Sequence, residues 1–409
     1  MYGLLEGVRI IEGASFVAAP YCALSLAQLG AEVIRFDAIG GGPDFHRWPR
    51  AEVGGSFYWE GLNKGKKSIA INLGDPRGRE LAAALITAPG KNSGIFVTNY
   101  PAEGFLSHAR LAAVRPDLIT ARVLGRSDGA NAVDYTINCA TGLPMMTGPA
   151  DRPDEPVNHV LPAWDLLTGA TAGMSVLAAL RDRAVSGHGH EIRAPLSDIA
   201  AATLGTLGQI AEVKISGHDR PKTGNDLFGA FGRDFVTADG KRLMIVALTP
   251  RQWSGLLRAL DIATPIAALE AKLGISLAQD EGIRYQNRDK ISPIVADAIA
   301  NQYFAALTAR LDEAGACWGP YRNLSEALEE DLMFSSSNPL FSPVAHTSGY
   351  TYPTPGYPAT FSNLDRGMPR RAPRLGEHTD EVLVEVLSLP EHAIAVLHDD
   401  GIVESAEGL

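Results

Sequence analysis

Along the first half of the chain, short apolar runs alternate with segments whose apolar residues recur every three or four positions. Residues 8–11, 32–37, 68–73, 95–97 and 118–124 read as strands, the third through alternating Ile69, Ile71 and Leu73. After the first strand, Pro20 suits a helix start, where a missing N–H costs nothing. Cys22, Leu26 and Leu29 keep helical spacing, and Gly30 closes the helix. Asp75-Pro76 has the form of a cap ahead of Leu81 and Leu85. Strands alternating with helices predict an α/β fold with a mostly parallel sheet covered on both faces. Residues 165–183 are rich in Gly, Ala and Thr and predict a buried central helix, because small residues let backbones approach closely.

The pattern changes near residue 222. Residues 235–236 and 243–248 flank Ala238-Asp239-Gly240-Lys241, a hairpin signal. Thr249-Pro250-Arg251-Gln252 is a capping box with proline at the first helical position. The expected organisation is a large domain over 1–215, a small α+β domain over 222–325, and a segment, 326–409, that returns to the large domain. Within that last segment, 335–373 is Pro/Gly/Ser-rich with little periodicity, and a helical tail begins at Thr379.

Composition narrows the function. With 45% hydrophobic and 20% charged residues the chain has the balance of an ordinary globular protein. A net charge of -11 disfavours nucleic acid and anionic lipid as bulk partners, so a polyanionic ligand needs a local basic patch. Cys22, Cys139 and Cys317 are too few for a disulfide framework and suit a reducing cytoplasm. Glu6, Arg9 and Glu12 interrupt the run a signal peptide needs, and no apolar stretch reads as long enough to span a bilayer.

Several chemistries lack their motifs. There is no GxGxxG opening a helix, no GxxxxGK[ST] loop and no GxSxG elbow. Gly40-Gly41-Gly42 runs into Pro43 and reads as a turn. His188-Gly189-His190 lacks further ligands at useful spacing and reads as solvated, so no metal is expected.

Four stretches, in order, resemble the class III CoA-transferases. They are LLEGVRIIEGASFVAAPYCALSLAQLGAEVIRFD; LNKGKKSIAINLGDPRGREL; VDYTINCATGLPMMTG followed by LPAWDLLTGATAGMSVLAALRDRAVSGHGHEI; and PRLGEHTDEVL. The resemblance implies a Rossmann-like large domain built from both chain ends, a smaller inserted domain and an interlocked homodimer. It also implies an acyl-CoA substrate, no cofactor beyond the CoA of that substrate, and Asp165 as covalent nucleophile. On spacing alone Asp165 reads equally as an N-cap. The roles are compatible, since helix N–H donors can hold a carboxylate and later an oxyanion.

The resemblance further places CoA near Val17 and Ala18, near Ile71, Asn72, Leu73 and Gly74, and near Asn99, Tyr100 and Pro101. Val17 stands where the family often has Gln, which makes that pocket drier. The family's Asn-Phe-Arg-Pro-Gly motif is degraded to Asn99-Tyr100-Pro101-Ala102-Glu103-Gly104 and loses its basic residue. Arg35, Arg47, Lys66 and Lys67 are the nearest bases for CoA phosphates. Asp134 falls at a second acidic position. Trp164 is either pocket wall or core, and Gly229-Ala230-Phe231-Gly232 is either a glycine-rich lid or a turn between domains.

A carboxylate attacking a thioester gives a mixed anhydride that keeps the acyl group activated. The reading that resemblance favours is intramolecular, interconverting the C1 and C4 CoA thioesters of mesaconate, with Arg47 or His46 holding the acid's spare charge. Intermolecular transfer between two acids uses the same nucleophile. Racemisation α to the thioester needs a His/Asp pair, and Gly125-Arg126-Ser127-Asp128 carries no His. A non-catalytic acyl-CoA scaffold would not need Asp165.

Overall fold

The structure, a computed structural model, describes residues 1–52, 55–101 and 103–406. It divides into two compact units. The first comprises 1–141, 159–215 and 332–409, and the second 142–158 and 216–331. Residues 142–158 lie within the 1–215 stretch read as one domain, yet they cluster with the second unit.

The first unit is built on six parallel strands: β1 (Arg9–Gly13), β2 (Glu32–Asp37), β3 (Lys67–Ile71), β4 (Ile95–Thr98), β5 (Ile119–Leu124) and β6 (His190–Pro195). Their spatial order is β3-β2-β1-β4-β5-β6, the order of a doubly wound Rossmann-like sheet. β2 and β4 are buried on both faces because helices cover both sides, although one face of β2 carries the charged Arg35 and Asp37. The chain leaves β1 toward β2, and β4 lies on β1's other side. A crevice therefore opens beyond the carboxyl ends of β1 and β4, which is where ligands bind in such sheets.

Two helices frame that crevice. Helix Ala18–Gln28 follows β1, and helix Ala163–Ser186 packs along it and against β5 and β6. Gly169 sets the closeness of the pair. A Cβ there would lie 2.5 Å from the Ala18 carbonyl oxygen and 3.3 Å from the Cys22 nitrogen. The long helix is not buried all round, as its composition suggests. Trp164, Thr168, Ala172, Val176 and Ala179 face inward, while Leu167, Met174 and Val185 are exposed. Among the described residues it is also a helix long and apolar enough, by length and composition, to cross a membrane, which corrects the sequence reading. Its inward face packs as that of a core helix.

The second unit has an antiparallel sheet of β7 (Phe231–Val236), β8 (Arg242–Ala247) and β9 (Cys317–Pro320), with helices whose apolar faces join Phe231, Leu243, Ile245 and Trp253 in one core. Thr249 and Gln252 close the expected capping box: Gln252 N–H donates to Thr249 Oγ1 at 3.2 Å, and Thr249 N–H donates to Gln252 Oε1 at 3.0 Å.

The C-terminal segment holds more order than its sequence pattern shows. β10 (Phe341–Ala345) and β11 (Thr351–Pro355) form an antiparallel ribbon, and β12 (Val403–Glu404) adds antiparallel to the outer edge of β3. Buried Glu60 ties the ribbon to helix Phe57–Leu62 by accepting from Ser348 N–H at 2.8 Å and Tyr352 OH at 2.7 Å.

Candidate active site

Helix Ala163–Ser186 begins on Pro162, whose missing N–H is no loss at that place, so Asp165 is the third helical residue and not the cap. The cap comes from another element. Asp134 opens helix Asp134–Ala140, is 1% exposed, and its Oδ2 accepts the N–H of Trp164 at 2.7 Å and of Asp165 at 3.0 Å. Ala163 N–H goes to Leu161 O and Leu166 N–H to Pro162 O. The donors of the first turn are thus engaged. The expectation that they hold the Asp165 carboxylate or its oxyanion is overturned.

The same arrangement sets the charge state of Asp165. Its carboxyl is half-buried. Burial first, and the Asp134 carboxylate second, raise it from 3.8 to about 7, with Arg47 acting in the opposite sense. A third-position aspartate near a helix's positive end would ordinarily stay ionised at lower pH. Here the Asp134 charge occupies that end. Trp164 is core, 3% exposed, and its indole N–H reaches Asn138 Oδ1 at 3.2 Å. His159, which no sequence signal singled out, meets the same Asn138 oxygen through Nε2 at 3.0 Å, and its Nδ1 is buried without a partner.

Arg47 lies across two aromatic faces, 5.4 Å from the Phe16 ring and 5.0 Å from the Tyr58 ring. Tyr58 OH is buried without a hydrogen-bond partner, and burial pushes the phenol well above its ordinary range, so it stays a donor. Phe16 holds φ at +68°, an uncommon conformation for a non-glycine residue, at the carboxyl end of β1. Asn99, just after β4, fixes that turn: Ser15 N–H donates to its Oδ1 at 2.9 Å and its Nδ2 donates to Ser15 O at 2.7 Å. Asn99 therefore staples the two sides of the crevice together. Val17 caps helix Ala18–Gln28 through its backbone, and both Val17 and Ala18 are buried. Tyr100 is half-buried and gives its carbonyl to Arg122 at 2.8 Å; Pro101 is exposed; Ala102 lies outside the described residues.

Asn72, Leu73 and Gly74 line a cavity of about 590 Å³ together with Ala38, Ile39, His398, Gly401, Val403 and Glu404. The C-terminal residues were not recognised as site residues from the sequence. Only the docking of the tail on β3 brings them there, with Asn72 N–H on Ile402 O at 2.8 Å. Ile71 is fully buried in the core beneath this turn, so its side chain faces no ligand.

Most of the expected basic patch is spent internally. Lys66 is 3% exposed and binds Glu12 Oε2 at 2.7 Å, Asn63 Oδ1 at 3.0 Å and Pro20 O at 3.1 Å. Arg35 is 1% exposed and spans Glu12, Asp37 and Asp44 at 2.8 to 3.0 Å. Lys67 pairs with Glu32, Glu381 and Glu385. Of the four bases only Arg47 lacks a carboxylate in ion-pair range among the described residues. In the second unit Gly229 turns at φ +84°, and Ala230 and Phe231 are buried as the chain enters β7, so the 229–232 stretch is a turn into a strand rather than a lid. His190 pairs with Asp182, and among the described residues no His/Cys/Asp/Glu group has the shape of a metal site.

Asp165 thus stands half-buried at the start of the long helix that packs on the helix following β1. Residues 5–379 match CoA-transferase family III, and the chain belongs to that family. It is 48% identical over 404 residues to 2-methylfumaryl-CoA isomerase of Chloroflexus aurantiacus, across 98% of both chains. It is 28% identical to succinyl-CoA:glutarate CoA-transferase of Mus musculus, across 98% of this chain and 91% of that one. A CAIB/BAIF family protein of Brucella suis, 23% identical, shares the fold with a TM-score of 0.77 over 93% of this chain and 99% of that one.

Proposed function

We propose that the protein moves CoA within one molecule, interconverting the C1 and C4 thioesters of mesaconate (2-methylfumarate), with Asp165 as the covalent nucleophile. The substrate assignment is supported by 48% identity to a 2-methylfumaryl-CoA isomerase over 98% of both chains. The observation that carries the mechanism is the half-buried Asp165 carboxyl, raised to about 7 at the head of a closely packed helix.

The cycle needs no net proton and no water. An ionised Asp165 oxygen attacks the C1 thioester carbonyl, the C–S bond breaks, and CoA thiolate leaves a mesaconyl-aspartyl anhydride. Thiolate then attacks the aspartyl carbonyl of the anhydride, giving aspartyl-CoA and releasing mesaconate. The C4 carboxylate attacks aspartyl-CoA, thiolate leaves again, and its attack on the C4 carbonyl restores Asp165 and yields the C4 thioester. Because the anhydride is about as activated as the thioester, every step is reversible. Hydrolysis at any stage would waste the bond, so the site must be dry.

In a single chain that dryness is incomplete. Phe16, Trp48, Tyr135 and Leu167 are exposed, as is the apolar side of the long helix at Met174. A second copy of the chain covers these surfaces in this reading, giving a homodimer. CoA lies in the crevice, with its far end in the cavity beside Asn72 and the C-terminal tail.

The reaction is tested by incubating the protein with mesaconyl-C1-CoA and labelled free mesaconate. Interconversion without label in the CoA ester is expected, and Asp165→Ala abolishes it. Stoichiometric label uptake would instead establish transfer between two acids.

A further inference from the structure

Between the second and third steps of that cycle the acid is free. It carries two carboxylates and no covalent tie, and it must turn its other end toward aspartyl-CoA before it diffuses away. Something other than Asp165 has to hold it.

Among the described residues, Arg47 is the cation whose charge acts on the Asp165 carboxyl. It is clamped between the faces of Phe16 and Tyr58. Among the described residues no carboxylate lies within ion-pair distance of it. Its position is built rather than adopted. Asp44, three residues earlier, is buried and bound to Arg35 at 2.9 Å; Phe45 packs edge-on to Trp59; Ser56 Oγ donates to the Arg47 carbonyl at 2.6 Å. A rigid loop loses little freedom when the guanidinium takes a ligand. Tyr58 OH supplies a second donor without a partner beside it. His46, the other sequence candidate, is exposed and turned back onto Gly40 O at 2.8 Å.

We propose that Arg47, assisted by Tyr58 OH, anchors the carboxylate of the dicarboxylic acid that is not being acylated, and so retains the released acid through the aspartyl-CoA stage. This rests on the reading of Asp165 as nucleophile. It makes Arg47 the residue that decides between internal return and escape, and it commits the site to acids with two carboxylates. A planar fork of donors between aromatic faces suits a carboxylate as a lysine would not.

The test reads a ratio. Wild type, Arg47→Gln and Arg47→Lys are given mesaconyl-C1-CoA with labelled free mesaconate, and label entering either ester is divided by the C1–C4 conversion in the same interval. Loss of a charge-assisted carboxylate contact should raise that ratio by about tenfold or more in Arg47→Gln and by less in Arg47→Lys. Acyl trapping on Asp165 is measured in the same variants and is expected to be slowed but not abolished, so a failed nucleophile and a failed anchor are told apart. Wild type is also given the CoA ester of mesaconate monomethyl ester, which lacks the free carboxylate; its acylation of Asp165 should be about tenfold slower. An unchanged ratio in Arg47→Lys and Arg47→Gln, or equal acylation by the two esters in wild type, overturns the proposal.

Discussion

Asp134 and Asp165 are joined through the backbone: the Asp134 carboxylate accepts the amide of Asp165 at 3.0 Å and of Trp164 at 2.7 Å, while its charge pushes the Asp165 side chain toward the neutral form. One group therefore fixes the geometry of the candidate nucleophile and, after burial, contributes most to its raised pKa. The two effects are separable. Asp134→Asn keeps an oxygen acceptor and removes the charge, so the midpoint of the kcat/KM profile against pH should move to lower pH with the fold intact. Asp134→Ala removes both. It leaves two buried N–H groups unpaired and should cost about 1–3 kcal/mol in urea unfolding along with most activity.

The wild-type profile follows from the same site. Attack requires ionised Asp165, so kcat/KM should rise with pH and level off above about 7. A limb near 4 would mean that burial and Asp134 do not act on the reacting group.

Stability should respond with the opposite sense. Asp165 binds its proton more tightly folded, at about 7, than unfolded, at 3.8, so its ionisation weakens the fold as pH rises through that window. Asp165→Asn removes the penalty. After allowance for partial exposure it should stabilise the protein by about 1 kcal/mol at pH 8 and by nothing near pH 3.5. Thermal unfolding of both forms at the two pH values measures this.

Gly169 tests the packing that positions the site. Alanine is the better helix former, yet its Cβ would meet the Ala18 carbonyl at 2.5 Å. Overpacking against backbone should outweigh the gain, leaving Gly169→Ala less stable by about 1–2 kcal/mol. Since Ala18 opens the helix beside the expected CoA contact, KM for the acyl-CoA should rise more than kcat falls.

Arg35 tests whether the buried cluster is structural. Arg35→Met leaves Asp37 and Asp44 without their cation and Glu12 with Lys66 alone. A loss of about 3–5 kcal/mol is expected from the denaturant midpoint, with no specific weakening of CoA binding beyond the folded fraction. A normal midpoint with a raised KM would make Arg35 a phosphate ligand after all.

What the sequence made legible was local. β2 has the bounds read for it from residues 32–37, Asp75 caps helix Pro76–Thr87 through Arg77 N–H at 2.8 Å, and the Thr249–Gln252 box closes as spaced. What stayed hidden depends on partners far along the chain. The prolines of β10 and β11 argue against strands, but in a two-stranded ribbon each strand has a free edge where a missing N–H is tolerated, and Pro343 simply faces Pro353. β12 is two residues long and acquires meaning only beside β3. Lys66 and Arg35 read as surface bases because Glu12, on β1, and Asp44, in a loop, are brought to them only by the fold. Asp165 reads as a cap because the residue that does the capping, Asp134, precedes it by an entire loop excursion.

The central claim is that Asp165 becomes acylated. The direct measurement is to incubate the enzyme with mesaconyl-CoA alone, quench with borohydride or hydroxylamine, digest, and locate the modification by mass spectrometry. The account predicts a reduced or hydroxamate-bearing Asp165 in the peptide containing Trp164, absent without substrate and absent in Asp165→Asn. An unmodified Asp165 in enzyme that is turning over, or a label fixed at another residue, would contradict it.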